Sequence, residues 1–170
     1  HQLNNAVELQ ESYVHSIPVK SGYYSVIAWA GLSDQLYTIV PVQDGVTTKE
    51  DIALRLKREG GQAVPLRDNR LYYGESHNVF IDDPEKVGSV LEEAPINMQE
   101  VTNRIHIIVD GLTRGDQYEI LVQSRNGSMK MDGTISSDDL IRYMPVSSVV
   151  REDGLESEFT VLKLETGYDN

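Results

Sequence analysis

Apolar and polar side chains alternate with a period of two along most of this chain, the mark of strands with one covered and one wetted face. Tyr13, His15, Ile17 and Val19 share one face of a first such segment. Pro18 places it at a sheet edge, since proline cannot donate to a ladder. Beyond Ser21-Gly22, Tyr24, Val26, Ala28 and Ala30 alternate with Tyr23, Ser25, Ile27 and Trp29. Both sets are largely apolar, so the spacing predicts a central strand over 23–30, joined to the first by a hairpin at Gly22. A further strand is expected over 36–42, closed by Asp44-Gly45.

One segment reads as a helix, 49–59. Thr47 or Thr48 can cap it, Glu50 and Asp51 stand in its first turn, Lys57 and Arg58 in its last, and Gly60-Gly61 ends it. Ile52 and Leu56 then share a narrow apolar face. Short strands follow at 71–73 and 78–81, with Gly74 between them. The stretch 82–95 is acidic and carries Pro84, Gly88 and Pro95, so it reads as a linker and as the boundary between domains 1–95 and 96–170.

In the second part, Ile105, Ile107 and Val109 face one way. Gly111 to Gly115 then turns the chain, and Tyr118, Ile120 and Val122 alternate back, which predicts a hairpin. Asn126-Gly127 and Asp132-Gly133 are turn signals, and strands are expected at 146–150 and 159–164. Many short strands, Gly-marked turns and one short helix make an all-β chain of sandwich type. The second unit offers about four strands where a self-contained sandwich needs roughly seven, so it is expected to be incomplete.

Charge narrows the partners. Lys and Arg number 15 against 27 Asp and Glu, a formal balance of −12, which argues against nucleic acid or an anionic membrane surface. No apolar run approaches the roughly 18–20 residues of a membrane span. The chain has no cysteine, so disulfides, thiolate metal sites and thiol nucleophiles are all excluded. It starts at His1 with no basic-then-apolar leader, as expected of a processed or trimmed product.

No constellation for catalysis, metal or cofactor emerges. His1, His15, His77 and His106 lack the spacings of metal ligands. The run 128–139 resembles a calcium loop only in part: Lys130 would fill a ligand slot and no Glu closes the cage. There is no G-x-S-x-G elbow and no glycine-rich phosphate loop. The acid pairs Asp82-Asp83, Glu92-Glu93 and Asp138-Asp139 read as solvated charge. Nine Tyr, one Trp and two Phe remain. Trp29, Tyr23 and Tyr72 are the candidates for a sugar-stacking platform; the alternative is that tyrosine is simply a good residue for half-buried strands.

The run Gly22 to Gly31 (GYYSVIAWAG) resembles the G-x-Y-x-(h)-x-x-W-x-G strand of the Bacteroidales minor fimbrial subunits, the FimB-like anchor family. Leu71-Tyr-Tyr-Gly74 is similar to that family's L-[YF]-[YH]-G segment. The run 97–112 is similar to the strand that opens its second domain, and 126–145 to the turn and loop that follow. The four pieces lie in order and span nearly the whole chain. The resemblance implies transthyretin-like β-sandwich domains in a surface-exposed, non-enzymatic protein of a Gram-negative outer membrane. It also implies that the protein anchors or terminates a type V pilus, with other fimbrial subunits as partners joined by strand insertion. Family anchors carry an N-terminal lipidated Cys, so any lipid anchor lies upstream of His1 or is absent. By the same resemblance, the family's usual first strand, before Gly22, is expected to be absent from this segment. A surface carbohydrate-binding module, with glycans as partners, is the alternative.

Overall fold

A computed structural model describes residues 13–164 of the chain. It is all-β. The strands β1 (Gly22–Tyr24), β2 (Ile27–Ala30), β3 (Tyr37–Ile39), β4 (Ile52–Leu56), β5 (Arg58–Glu59), β6 (Gln62–Ala63), β7 (Tyr72–Glu75) and β8 (Val79–Ile81) come first. A single-turn helix, α1 (Pro84–Val87), leads to β9 (Gln99–Glu100) and the long β10 (Thr102–Asp110). After a 3₁₀ turn at Gly115–Gln117 follow β11 (Val122–Ser124), β12 (Ser128–Lys130), β13 (Ile135–Ser136), β14 (Ile141–Tyr143), β15 (Ser147–Arg151) and β16 (Gly154–Leu162).

These strands form five small sheets, in the orders β1-β8, β10-β16-β15, β11-β14-β6-β5, β13-β12-β4-β3 and β2-β7-β9. All pairs are antiparallel except β14 with β6. Residues on both sides of position 95 share sheets, as where β4 pairs with β12 (Met129 opposite Leu54). Both sides also fill the core, where Tyr37, Leu54, Leu71, Met129, Ile141 and Phe159 pack together.

Several local expectations are corrected. Residues 49–59 do not form a helix. Ile52 and Leu56 are spaced by four, which fits either period, and Leu54 decides between them: it is 1% exposed, between Ile52 and Leu56 on the buried face of a strand. That strand, β4, has β3 on one side and β12 on the other. The Thr48/Asp51 pair that looked like a cap closes a turn, with the Thr48 N–H donating to Asp51 Oδ2 at 2.6 Å. Gly60 and Gly61, at φ of +57° and +81°, form the two-residue turn of the β5–β6 hairpin. Positive φ at both positions matches the twist of the flanking strands.

The expected strand over 23–30 is two strands in different sheets, and Gly22 lies within β1 rather than in a hairpin turn. Tyr23 is not covered; it is 80% exposed. Residues 13–19 carry the alternation of a strand but pair with nothing among the described residues and form no ladder. The short helix of the chain lies at 84–87, capped by Asp83, whose side chain accepts from the Glu85 N–H at 3.1 Å. The hairpin expected between 104–109 and 118–122 does not form, because β10 takes β16 as its partner across more than forty residues of chain. The strands foreseen at 146–150 and 159–164 appear as β15 and β16, the latter longer than expected.

Buried tyrosines set the alkaline limit. Burial pushes the Tyr37 and Tyr143 hydroxyls well above the usual tyrosine range. Burial, with a hydrogen bond to Glu75, pushes Tyr73 up to about 12. The folded chain therefore holds these protons more tightly than the unfolded one. The resulting stability is complete below the unfolded value of about 10 and is lost as pH rises through the folded values. We expect Tm to fall steeply between about pH 10 and 12, with tyrosinate absorbance growing in step with unfolding. A level Tm across that window would contradict this.

Candidate functional site

The sheet β10-β16-β15 has an open side. β10 pairs with β16 along its whole length, from Thr102 opposite Leu162 to Asp110 opposite Gly154. Among the described residues no strand pairs with its other edge. At about 3.4 Å per residue, this nine-residue edge runs for about 30 Å. Such a row of unpaired N–H and C=O groups is a template for another strand.

Local chemistry explains why the edge lies there. Val101 is the point where the chain changes sheets: its N–H donates to the Leu71 carbonyl at 2.7 Å, and its own carbonyl accepts from the Lys163 N–H at 2.8 Å. The residues before it, in β9, follow β7, and those after it, in β10, follow β16. From Thr102 onward, Ile105 and Ile107 pack against the core and, with Val109 on the same face, stay half-buried. The β16 residues opposite them, Phe159, Ser157 and Leu155, are almost fully buried. Cover over this face therefore thins toward the open edge. The opposite face is polar. The imidazole Nε2 of His106 lies 2.7 Å from Glu156 Oε1, and Arg151 Nη1 lies 3.2 Å from Asp110 Oδ1. Ile108 is the exposed apolar exception.

The far side of the sheet ends at β15, whose five residues are all exposed, Val149 and Val150 among them. It is shorter and lacks the inward apolar row of β10. Sequence alternation located the β10 residues, but nothing in it marked them as an edge.

The three aromatic candidates lie apart. Trp29 and Tyr73 are direct neighbours across β2 and β7, with ring centroids 5.0 Å apart in a T-shaped contact. The Tyr73 hydroxyl donates to Glu75 Oε2 at 3.1 Å, and Glu75 is ion-paired with Lys49. The salt-bridged Lys49 ammonium leads in holding the Glu75 carboxyl below its ordinary range. Tyr72, one residue from Tyr73, occupies the opposite face of the sheet. Tyr23 belongs to another sheet, where its ring lies against Phe80 at 4.6 Å between centroids.

Trp29 packs against the core and is half-buried. Trp29→Ala is therefore expected to cost about 2–3 kcal/mol, below the about 3–5 kcal/mol of a fully buried aromatic. Urea denaturation reads this directly, and an unchanged midpoint would show a ring that supports nothing.

Among the described residues no group of three His, Asp or Glu is placed to hold a metal ion, and no helix is long and apolar enough to cross a membrane.

A family model described as fimbrillin-A associated anchor proteins Mfa1 and Mfa2 matches residues 1–169. The minor fimbrium anchoring subunit Mfa2 of Porphyromonas gingivalis is 34% identical over 165 residues, which are 96% of this chain and 51% of that protein. The solved structure of the fimbrial anchor protein Mfa2 from that organism superposes with a TM-score of 0.82, covering 88% of this chain and 54% of the other. A Bacteroides thetaiotaomicron structure, provisionally described as a polysaccharide-binding protein, is 25% identical. It has a TM-score of 0.65 and covers 88% of this chain and 52% of its own. The chain thus spans about half the length of these relatives.

Proposed function

The chain belongs to the family of fimbrillin-A associated anchor proteins Mfa1 and Mfa2, and from that premise we propose that it is part of a non-catalytic, cell-surface fimbrial anchor or minor pilus subunit. In this reading the protein is held at the outer membrane by a lipid on a segment upstream of His1 and mediates adhesion through the fimbria it carries. Its partners are other fimbrial subunits, joined by strand addition.

The observation that supports this reading best is the nine-residue open edge of β10 over a half-covered apolar row. A strand added there would satisfy main-chain groups along about 30 Å. Its inward side chains would complete the cover over Ile105, Ile107 and Val109, and that apolar burial would supply most of the affinity. The added strand needs no particular charge, which suits an acidic chain joining other subunits.

Because residues 1–170 hold no cysteine, a thiol introduced there is unique within this segment. His106→Cys, on β10, and Val149→Cys, on the opposite edge strand, would each carry a photo-crosslinker in the longer protein co-expressed with its fimbrial subunits. We expect a crosslinked fimbrial subunit from position 106 and none from 149. Crosslinks from 149 alone, or from neither, would overturn β10 as the docking edge.

A further inference from the structure

A polar cleft of about 620 Å³ is bordered by Thr38 of β3, by residues 55–59 of β4 and β5, and by the Asp138-Asp139 loop. That volume is within the range of about 300–1,000 Å³ common for ligand sites. Three of its groups are fixed. Asp138 accepts from Arg58 Nη2 and from Ser128 Oγ, each at 2.5 Å, and from the Asp139 N–H at 2.8 Å. Burial pushes the Asp138 carboxyl up, but those hydrogen bonds and the Arg58 charge outweigh it and hold the group ionised below its ordinary range. Lys57 is tied to the Asp34 carbonyl.

Other groups around the cleft have hydrogen-bonding capacity to spare. Among the described residues, the side chains of Gln35, Arg55, Glu59 and Asp139 make no hydrogen bond or ion pair with the rest of the chain. Cations and anions balance, with Arg55, Lys57 and Arg58 against Glu59, Asp138 and Asp139. No net field therefore selects a phosphate, a sulfate or a metal ion. A peptide would call for apolar pockets, and only Leu56 and Val64 offer any.

We propose that this cleft binds a neutral carbohydrate. Each sugar hydroxyl donates and accepts at once, which suits a charge-balanced lining where Arg58, Lys57 and Asp138 are held in place and the Gln35 amide, Arg55, Glu59 and Asp139 have bonds left to make. The proposal stands apart from the β10 edge and does not rest on the anchoring reading.

The test is a printed array of neutral mannose-, galactose- and N-acetylglucosamine-containing oligosaccharides, set beside sialylated and sulfated ones. We expect binding among the neutral glycans. The exposed double substitution Arg55→Ala with Asp139→Asn should weaken it by about tenfold or more while Tm holds. Tyr23→Ala should leave it unchanged. Absence of binding across the array, binding confined to the acidic glycans, or a loss caused by Tyr23→Ala with the cleft variant intact would each overturn the proposal.

Discussion

Gly31→Ala is expected to destabilise the chain by about 2–5 kcal/mol, toward the upper end of that range. Gly31 follows β2 directly, at φ +81°, and a Cβ there would lie 1.9 Å from the Arg70 carbonyl oxygen. The left-handed backbone alone costs an alanine about 1–2 kcal/mol. The obstructing atom is backbone and cannot rotate away, so the two segments must separate. That movement would strain Asn69, whose Nδ2 donates to the Gly31 carbonyl at 3.0 Å, and the adjoining β2–β7 pairing. Gly45→Ala is the control. It sits at φ +72° with nothing within 4 Å of the added carbon, so it should lose only the conformational share. Urea midpoints at constant slope measure both. Equal losses in the two variants would show that the close approach at Gly31 carries no weight.

Asn126→Ala is expected to cost about 3 kcal/mol, because it orphans several buried groups at once. Asn126 is 1% exposed. Its Nδ2 donates to the carbonyls of Leu162 at 2.8 Å and Lys163 at 3.2 Å, and its Oδ1 accepts from the Tyr143 hydroxyl at 2.7 Å. One side chain thereby ties the end of β16 to β14. Tyr143→Phe removes one of these bonds, together with the long one its hydroxyl accepts from the Leu162 N–H at 3.4 Å, and should cost about 1–2 kcal/mol. Since the two residues share that bond, the double variant should lose less than the two single losses combined. Strict additivity in denaturant unfolding would refute the clamp.

Asn126 also shows where sequence reading stops. Asn126-Gly127 reads as a turn signal, which concerns the backbone of neighbouring residues. The use made of the Asn side chain depends on two carbonyls 36 and 37 residues away. Asp138-Asp139 reads as solvated charge for the same reason: the Arg58 guanidinium that pairs with Asp138 lies 80 positions earlier. Neither the cleft nor the open edge could be assembled from neighbours in sequence. Trp29 was legible as a strand residue, but its partner Tyr73 was not. The aromatic candidates consequently looked like one cluster, whereas Tyr23 lies in another sheet and Tyr72 on the opposite face of the sheet from Trp29.

Residues 49–59 failed differently. Caps, charge placement and terminal glycines all agreed on a helix, and the apolar pair at 52 and 56 allowed one. What overrode them was tertiary: β3 and β12 flank Leu54 and Leu56, and burying those two leucines between paired strands outweighs the preferences of an exposed helix.

The sequence by itself determined that the chain is all-β, that its family is that of the fimbrial anchors, and where about half of its strands lie. Those properties are written in short-range alternation, in turn residues and in ordered motifs. Only the tertiary structure decided which strand pairs with which, that β10 joins β16 and not the segment at 118–122, and that its far edge stays open. Alternation states that a strand has one face to bury. The strand that covers that face, and the edge left uncovered, depend on how apolar faces far apart in the chain close over a common core.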